Sequence, residues 1–117
     1  MYTEKDNRTV SILGTEYKIL FLPEDALAEL EADGIMDHSI KTIKVGVFVP
    51  NERNISDLTS YQKKVLRHEI IHAFFYESGL WNNSGASSMW ALNEEMVDWL
   101  AIQHEKLHTA FETAGAL

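Results

Sequence analysis

The pentapeptide His68-Glu69-Ile70-Ile71-His72 contains the residue types with the clearest chemical potential in this sequence. On a helix each residue turns by about 100°, so the two histidines lie on one face, one turn apart. Two imidazoles in that arrangement can bind the same Zn²⁺ ion. Glu69 lies about 100° round the helix from His68, where it can accept a proton from an attacking water. The pentapeptide therefore predicts a zinc site with Glu69 as its general base.

A third metal ligand is predicted on a second helix, at Glu94, 22 residues after His72. Catalytic zinc sites use three protein ligands and keep one position open. Glu94 and Asp98 share a helix face with Trp90 and Ala101, and these apolar neighbours indicate that the face points inward. Because buried carboxylates need a cation or hydrogen-bond donors, we expect Glu94 to bind the metal.

Asp98 has a separate predicted role, as the partner of a ligand histidine. A ligand imidazole usually donates its other ring N–H to a carboxylate or a carbonyl. We expect Asp98 to accept such a bond from His68 and so to set the tautomer of that ring. Two alternatives stay open. Glu95 is the other candidate ligand, although it projects about 100° away from Glu94, and the acidic residues also suit a solvated first turn of a helix.

The sequence contains a second match to the same pattern, from His104 to His108 with Glu105 as its acid. Nine residues follow this match, and they offer no second acidic helix that could supply a third ligand. Glu112 lies one turn further along the same helix. We therefore expect the first pentapeptide, and not this one, to hold the metal.

Tyr76 is the predicted electrophile for the oxyanion. Peptide hydrolysis often needs a second group that stabilises the negative charge developing on the carbonyl oxygen. Tyr76 lies one turn past His72 on a neighbouring helix face. A packing role for its ring is the alternative. His38, next to Asp37 in a predicted loop, is expected to be exposed to solvent.

The N-terminal part of the chain is predicted to form a β-hairpin. Strands are expected from Thr9 to Leu13 and from Glu16 to Phe21. A tight turn at Gly14-Thr15 joins them.

A short helix and a third strand are predicted to follow the hairpin. The helix is expected from Glu24 to Asp33, with Gly34 as its stop. β-branched residues between Ser39 and Val49 predict the strand. We expect this third strand to form the edge of the sheet and to bind an extended substrate.

Two long helices are predicted in the second half of the chain. The segment Thr59-Ser60-Tyr61-Gln62 fits a capping box, and a helix runs from it to about Ser78. Gly79 suits the left-handed residue that ends such a helix. A polar connection from Leu80 to Ser87 leads to the second helix, which is expected from about Ser88 to Thr113.

This order of elements predicts an α+β fold. We expect a small three-stranded N-terminal sheet that packs on the active-site helix and on the long C-terminal helix. With 117 residues the chain is expected to form a single domain, residues 1–117.

Composition excludes several classes of function. The net charge is −8, and such an acidic surface repels phosphate backbones, so no nucleic-acid partner is expected. The absence of cysteine rules out disulfides and thiolate zinc ligands. The N-terminus has no signal-peptide pattern, and no apolar run approaches the roughly 20 residues that cross a bilayer. We therefore expect a cytoplasmic protein with no membrane partner.

The combination of His68-Glu69-Ile70-Ile71-His72 with Glu94-x-x-x-Asp98 resembles the gluzincin pattern of zinc metallopeptidases. The short chain with a small sheet before the active-site helix is similar to the ImmA/IrrE-type peptidases of phages and mobile elements. This resemblance covers roughly residues 39–101, about half of the chain. That type usually has glycine before the second histidine, where this chain has Ile71, so a repressor-cleaving role does not follow.

The resemblance implies a zinc-dependent metallopeptidase that acts on a peptide or protein substrate. It implies His68, His72 and Glu94 as the Zn²⁺ ligands and Glu69 as the catalytic base. The alternative is a catalytically silent zinc-binding protein of the same fold that serves as a protein-interaction module. A plain acidic α+β domain whose histidines bind nothing is the third hypothesis.

Overall fold

A four-stranded mixed sheet and two 20-residue helices form the main part of the computed structural model, which describes residues 1–51, 56–83 and 93–117. The predicted α+β class is confirmed, whereas the predicted three-stranded sheet is wrong. The strands are β1 (Arg8–Ile12), β2 (Thr15–Pro23), β3 (Gly34–Asp37) and β4 (Thr42–Val47). After a 3-10 turn at Glu4–Asp6, the helices are α1 (Asp25–Ala28), α2 (Leu58–Glu77), α3 (Leu80–Asn83) and α4 (Glu94–Thr113).

The β1–β2 hairpin forms as predicted, but its turn lies one residue earlier. Ile12 pairs with Thr15, so the two turn residues are Leu13 and Gly14. Their φ angles are 50° and 89°. Two-residue hairpin turns of this type need positive φ at both positions. Gly14 supplies the second position without strain, and this fixes the register.

The segment predicted as a helix from Glu24 to Asp33 is helical only over Asp25–Ala28. Leu27 is buried, whereas Leu30 is 62% exposed, so the segment buries too little apolar surface to hold a longer helix. Gly34 does not stop a helix but begins β3. The sequence analysis missed this strand because it has only four residues and no clear alternation of apolar and polar side chains.

The strand order is β1-β2-β4-β3, with β4 parallel to β2 and antiparallel to β3. The prediction that Ser39 to Val49 forms the sheet edge is therefore wrong. That segment contains the shorter strand β4, which lies inside the sheet, and its β-branched residues reflect burial between two neighbours. Among the described residues, β3 is the edge strand next to α2.

Helix α2 packs on one face of the sheet through a single stripe of residues. The core between them contains Ile12, Tyr17, Ile19, Phe21, Ile43, Val45, Phe48, Leu58, Val65 and Ala73. The same stripe of α2 also buries Gln62, Glu69 and His72. Packing of the helix on the sheet therefore buries part of the pentapeptide, while Phe74 on another face is 40% exposed.

The predicted capping box at the start of α2 is wrong. Asp57 is the N-cap, and its Oδ1 accepts a hydrogen bond from the N–H of Ser60 at 3.0 Å. Gln62 is fully buried instead: its Nε2 donates to the carbonyls of Tyr2 (2.9 Å) and Gly46 (3.0 Å), and its Oε1 accepts from the Tyr2 N–H. The side chain thus ties the N-terminus to the sheet and to the helix.

The end of α2 agrees with prediction, since Ser78 is its C-cap and Gly79 has φ of 84°. The polar connection begins with one helical turn, α3, and continues outside the described residues from Ser84 onward. Ser88, the predicted start of the last helix, and Trp90 also lie outside them. Helix α4 begins at Glu94, because Asn93 is extended and its Oδ1 accepts from the Met96 N–H at 2.9 Å.

Among the described residues, the buried positions of α4 lie in its first part. Val97 and Ala101 are buried, and Arg67 on α2 donates from its Nε to the Ala101 carbonyl at 2.6 Å. The helix ends at Thr113, as predicted. In the part of the chain described, no helix combines the length and the apolar character needed to span a membrane.

Replacing Gln62 tests the connection between the N-terminus, the sheet and α2. We expect Gln62→Leu to lower the free energy of unfolding by about 1–3 kcal/mol, because it removes the donor of a buried carbonyl. Urea denaturation measures this loss. Gln103→Leu on α4 serves as the control and should change stability by less than about 0.5 kcal/mol. Equal stability of Gln62→Leu and the wild type would contradict this account.

Glu77 at the end of α2 gives a pH-dependent contribution to stability. Its Oε2 accepts from the Tyr17 hydroxyl and the Lys41 ammonium, both at 3.0 Å. Hydrogen bonds to the carboxylate lower the pKa of Glu77 below its ordinary value. The largest effect comes from Thr15, followed by Lys41 and Tyr17. The stabilisation is therefore present above the unfolded pKa and is lost as the pH falls through the lower folded pKa.

We expect Glu77→Gln to destabilise the protein at pH 7 by about 1 kcal/mol. The difference from the wild type should be smaller at about pH 3, because the stabilisation is lost progressively once the pH is below the unfolded pKa of about 4.3. Thermal unfolding at both pH values measures this, with the exposed Glu29→Gln as control. A difference that stays constant with pH would argue against a stabilising carboxylate.

Candidate metal centre

Three candidate ligands meet where the start of α4 lies against the middle of α2. His68 Nε2 is 2.8 Å from one carboxylate oxygen of Glu94, and His72 Nε2 is 2.8 Å from the other. The two histidine Nε2 atoms are 3.2 Å apart. Within the described ranges these residues are the one group of three or more acidic, histidine or cysteine side chains that could hold a metal ion. The chain thus brings together the three predicted ligands.

The spacing of these donor atoms fits a single small cation. Ligands about 2.0–2.1 Å from a tetrahedral zinc lie about 3.3 Å from one another. The observed separations of 2.8–3.2 Å differ from that by a few tenths of an ångström. Two imidazole nitrogens and a carboxylate this close together form a donor set that a cation would satisfy. The residues present therefore fit a divalent metal ion.

Asp98 contacts His68, as predicted from its position one turn after Glu94. Its Oδ1 lies 3.3 Å from His68 Nδ1. The same oxygen accepts from the Lys64 ammonium at 3.2 Å. A carboxylate at this position favours the tautomer with the proton on Nδ1, which would leave the Nε2 lone pair for a metal. Lys64 is a contributor that the sequence analysis missed, because its pairing depends on how α4 crosses α2.

His72 is buried, and its surroundings favour the neutral imidazole. Burial lowers the pKa of His72, while the nearby Glu94 opposes this effect. Its Nδ1 is buried and has no hydrogen-bond partner within the described residues. The Trp81 ring lies edge-on, 6.2 Å from the His72 ring, and so covers it from the side of α3. Neutral imidazole is the form that binds metals.

Glu69 lies on the sheet-facing side of α2 and is 7% exposed. Burial raises the pKa of Glu69 to about 7; Glu94 adds to this effect, while His68 and the backbone of Met36 oppose it. Gly34 of β3 packs directly on this part of α2. A Cβ at Gly34 would come within 2.6 Å of Val65 Cγ1 and 3.1 Å of Glu69 Cγ. Only glycine lets the edge strand approach the carboxylate this closely.

Tyr76 lies in an aromatic cluster beside the metal ligands. Its ring stacks on His38 with centroids 4.0 Å apart, and it contacts the edge of Trp81 at 5.7 Å. The Lys41 ammonium lies 4.8 Å from the centre of the ring. His38 is thus half-buried and not the exposed loop residue that was expected. The predicted catalytic role of Tyr76 stays a prediction.

The second pentapeptide is exposed and does not form a comparable group. The side chains of His104 and His108 are 42% and 62% exposed. His108 Nε2 pairs with Glu112 along the same helix at 2.6 Å. Glu95, the alternative ligand, is exposed and lies outside the group of three. The geometry thus favours the first pentapeptide and Glu94.

Within the described residues, two cavities adjoin the candidate metal centre. One cavity of about 270 Å³ and another of about 380 Å³ adjoin it, and both are lined by Gly34, Glu69 and Glu94. The Glu94 side chain is 70% exposed. Structural zinc sites are closed by four protein ligands, whereas catalytic ones keep a position for water or substrate. Three ligands beside two cavities match the catalytic arrangement.

Comparison with known proteins identifies no relative of this chain. No family model matches the chain, and no match was found among curated proteins or solved structures. The resemblance of the pentapeptide with Glu94 and Asp98 to the gluzincin pattern therefore stays a prediction from the sequence.

Metal content separates the two pentapeptides. Protein purified without a polyhistidine tag is expected to contain one zinc ion per chain. His72→Ala should weaken zinc binding at least about 100-fold, because it removes one of three ligands. His108→Ala, the matched variant in the second pentapeptide, should bind zinc like the wild type. Inductively coupled plasma mass spectrometry measures the zinc content, and competition with a chelator measures the affinity. Loss of zinc from His108→Ala but not from His72→Ala would refute the assignment.

Proposed function

We propose that this protein is a zinc-dependent metallopeptidase that uses Glu69 as its general base. The observation that carries the proposal is the convergence of His68, His72 and Glu94, whose donor atoms lie within 4.8 Å of one another. Two imidazoles and one carboxylate are a ligand set of catalytic zinc sites. The buried carboxylate of Glu69 follows directly after the first ligand in the chain, on the side that faces β3.

We infer zinc because the pentapeptide pattern is typical of zinc sites and the ligand set suits this ion. Imidazole nitrogens favour zinc, copper, iron and nickel, whereas calcium and magnesium prefer sites made of oxygen ligands alone. When bound, the ion supplies a Lewis acid that polarises the substrate carbonyl and lowers the pKa of a water. Asp98 and Lys64 hold His68 in the orientation that this role requires.

Glu69 moves the protons in the proposed reaction. Hydrolysis adds one water across the peptide C–N bond and releases a carboxylate and an amine. The Glu69 carboxylate accepts a proton from the attacking water and then delivers it to the nitrogen of the leaving amine. Its burial beside Gly34 excludes competing solvent and fixes the side chain next to the edge strand.

Among the described residues no strand pairs with the outer edge of β3, which supports the proposed binding of an extended substrate there. The Gly46 N–H donates to the Asp33 carbonyl at 2.9 Å, which shows that Asp33 faces β4. Alternation along an antiparallel ladder then directs the backbone groups of Gly34 and Met36 away from β4, where the Met36 N–H donates to the Glu69 carboxylate. A peptide strand added there would pass Glu69. The proposed substrate edge is thus β3, in place of the strand expected from Ser39 to Val49.

Glu69→Gln tests the catalytic mechanism. We expect it to reduce peptide hydrolysis by at least about 10³-fold and to leave zinc binding unchanged, because the amide cannot accept the proton. Glu105→Gln makes the same change in the second pentapeptide and should leave both properties unchanged. The assay follows cleavage of a mixed-sequence fluorogenic peptide library by zinc-loaded protein. Hydrolysis by Glu69→Gln at the wild-type rate would contradict the mechanism.

A further inference from the structure

Two cavities of different character meet at Glu69. They share Gly34, Glu69 and Glu94 and extend in opposite directions along the edge strand. The cavity of about 270 Å³ continues to residues 31–33, which precede β3. The cavity of about 380 Å³ continues to residues 35–36, within β3. A peptide that crosses Glu69 along β3 therefore places one side chain toward each cavity.

The smaller cavity is negatively charged. Besides Glu69 and Glu94 of the candidate metal centre, its lining contains Glu31, Asp33 and Asp98 and the cation Lys64. Lys64 pairs with Asp98 at 3.2 Å, so the charges of Glu31 and Asp33 are left uncompensated outside the metal centre. Within the described residues neither of these two carboxylates has an ion-pair partner, and Asp33 is held in place by the Tyr61 hydroxyl. This cavity complements a cationic side chain.

The larger cavity is apolar apart from the residues of the metal centre. Ile35 and Met36 contribute from β3, and Trp81 contributes from α3. The Trp81 ring also lies against His72, so the apolar wall continues up to the metal ligands. A cavity of this size with an aromatic wall suits a large apolar side chain.

The direction of β3 decides which side chain precedes the scissile bond. From its N-terminal end, β3 passes from the acidic cavity to the apolar one. Antiparallel pairing is the more stable way to add a strand, so the substrate would run from the apolar cavity to the acidic one.

Resting on the proposed peptidase function, we propose that the enzyme cleaves peptides between a large apolar residue and a following lysine or arginine. Hydrolysis then leaves the new carboxylate on the apolar fragment and the new amine on the basic fragment. Water supplies both the hydroxyl and the proton. The specificity comes from Glu31 and Asp33 on one side and from Met36 and Trp81 on the other.

Four hexapeptides test the proposal on the zinc-loaded full chain. Their central pairs are leucine–lysine, leucine–glutamate, lysine–leucine and alanine–alanine, with alanine elsewhere. We expect the value of kcat/KM for leucine–lysine to exceed that for each of the others by about tenfold or more. Equal cleavage of all four, or a preference for leucine–glutamate, would overturn the proposal.

A charge reversal tests the acidic cavity directly. Glu31→Lys is expected to reduce the preference for leucine–lysine over leucine–glutamate about three- to tenfold. Glu29→Lys makes the same change two residues earlier, outside the cavity lining, and should keep the wild-type preference. An unchanged preference in Glu31→Lys would contradict the assignment of this cavity.

Measuring peptide binding distinguishes an error in the proposed specificity from an error in the proposed peptidase function. Calorimetry with zinc-loaded Glu69→Gln measures the affinity for the same hexapeptides without cleavage. If no peptide is cleaved by the wild type but leucine–lysine binds most tightly, the two cavities stand and the hydrolytic function fails. If peptides are cleaved but neither kcat/KM nor affinity distinguishes them, the cavity assignment fails and the hydrolytic function stands.

Discussion

The packing of the first two turns of α4 on α2 is the interaction on which the metal centre depends. His68 and His72 belong to one helix and need no tertiary structure to share a face, but Glu94 reaches them only through this contact. Val97 and Ala101 are the buried residues of α4. Arg67 of α2 donates to the Ala101 carbonyl and so fixes the position of α4 along α2. Asp98 then bridges the helices through Lys64 and His68. Because the rest of α4 is largely exposed, these few contacts set the position of the third ligand.

A second constraint comes from the stripe by which α2 packs on the sheet. Glu69 and His72 occupy the same stripe as the core residues of α2, and Val65 packs one turn before Glu69. Burying a carboxylate costs on the order of several kcal/mol unless it is paired. The Met36 backbone offsets part of this cost for Glu69, and the remainder is a loss of stability at the place where the proposed chemistry needs a buried base. Gly34 makes this arrangement sterically feasible.

Local patterns in the sequence predicted the helical part of the site well. The spacing of His68, Glu69 and His72 depends only on helical geometry, and Gly79 marks the end of α2 through its own conformational preference. Glu94 was predicted as a ligand because its helix face was expected to point inward, but its side chain is 70% exposed, so its place beside the histidines depends on how α4 packs on α2. Each of these inferences uses residues within a few turns of one another.

The features that prediction missed depend on contacts between distant residues. Gln62 looked like part of a capping box, but its partners are Tyr2 and Gly46, which no local pattern connects to it. The four residues of β3 become a strand only by pairing with β4, and this pairing moves β4 from the edge to the interior of the sheet. Trp81 and Lys64 likewise join the site only through the packing of α3 and α4.

The most direct test of the central claim is the position of zinc in an anomalous-difference map from zinc-soaked crystals of the full chain. We predict one zinc ion bound by Nε2 of His68, Nε2 of His72 and the carboxylate of Glu94, with a fourth position open to solvent. Zinc bound between His104 and His108, or a first site without Glu94, would contradict the account.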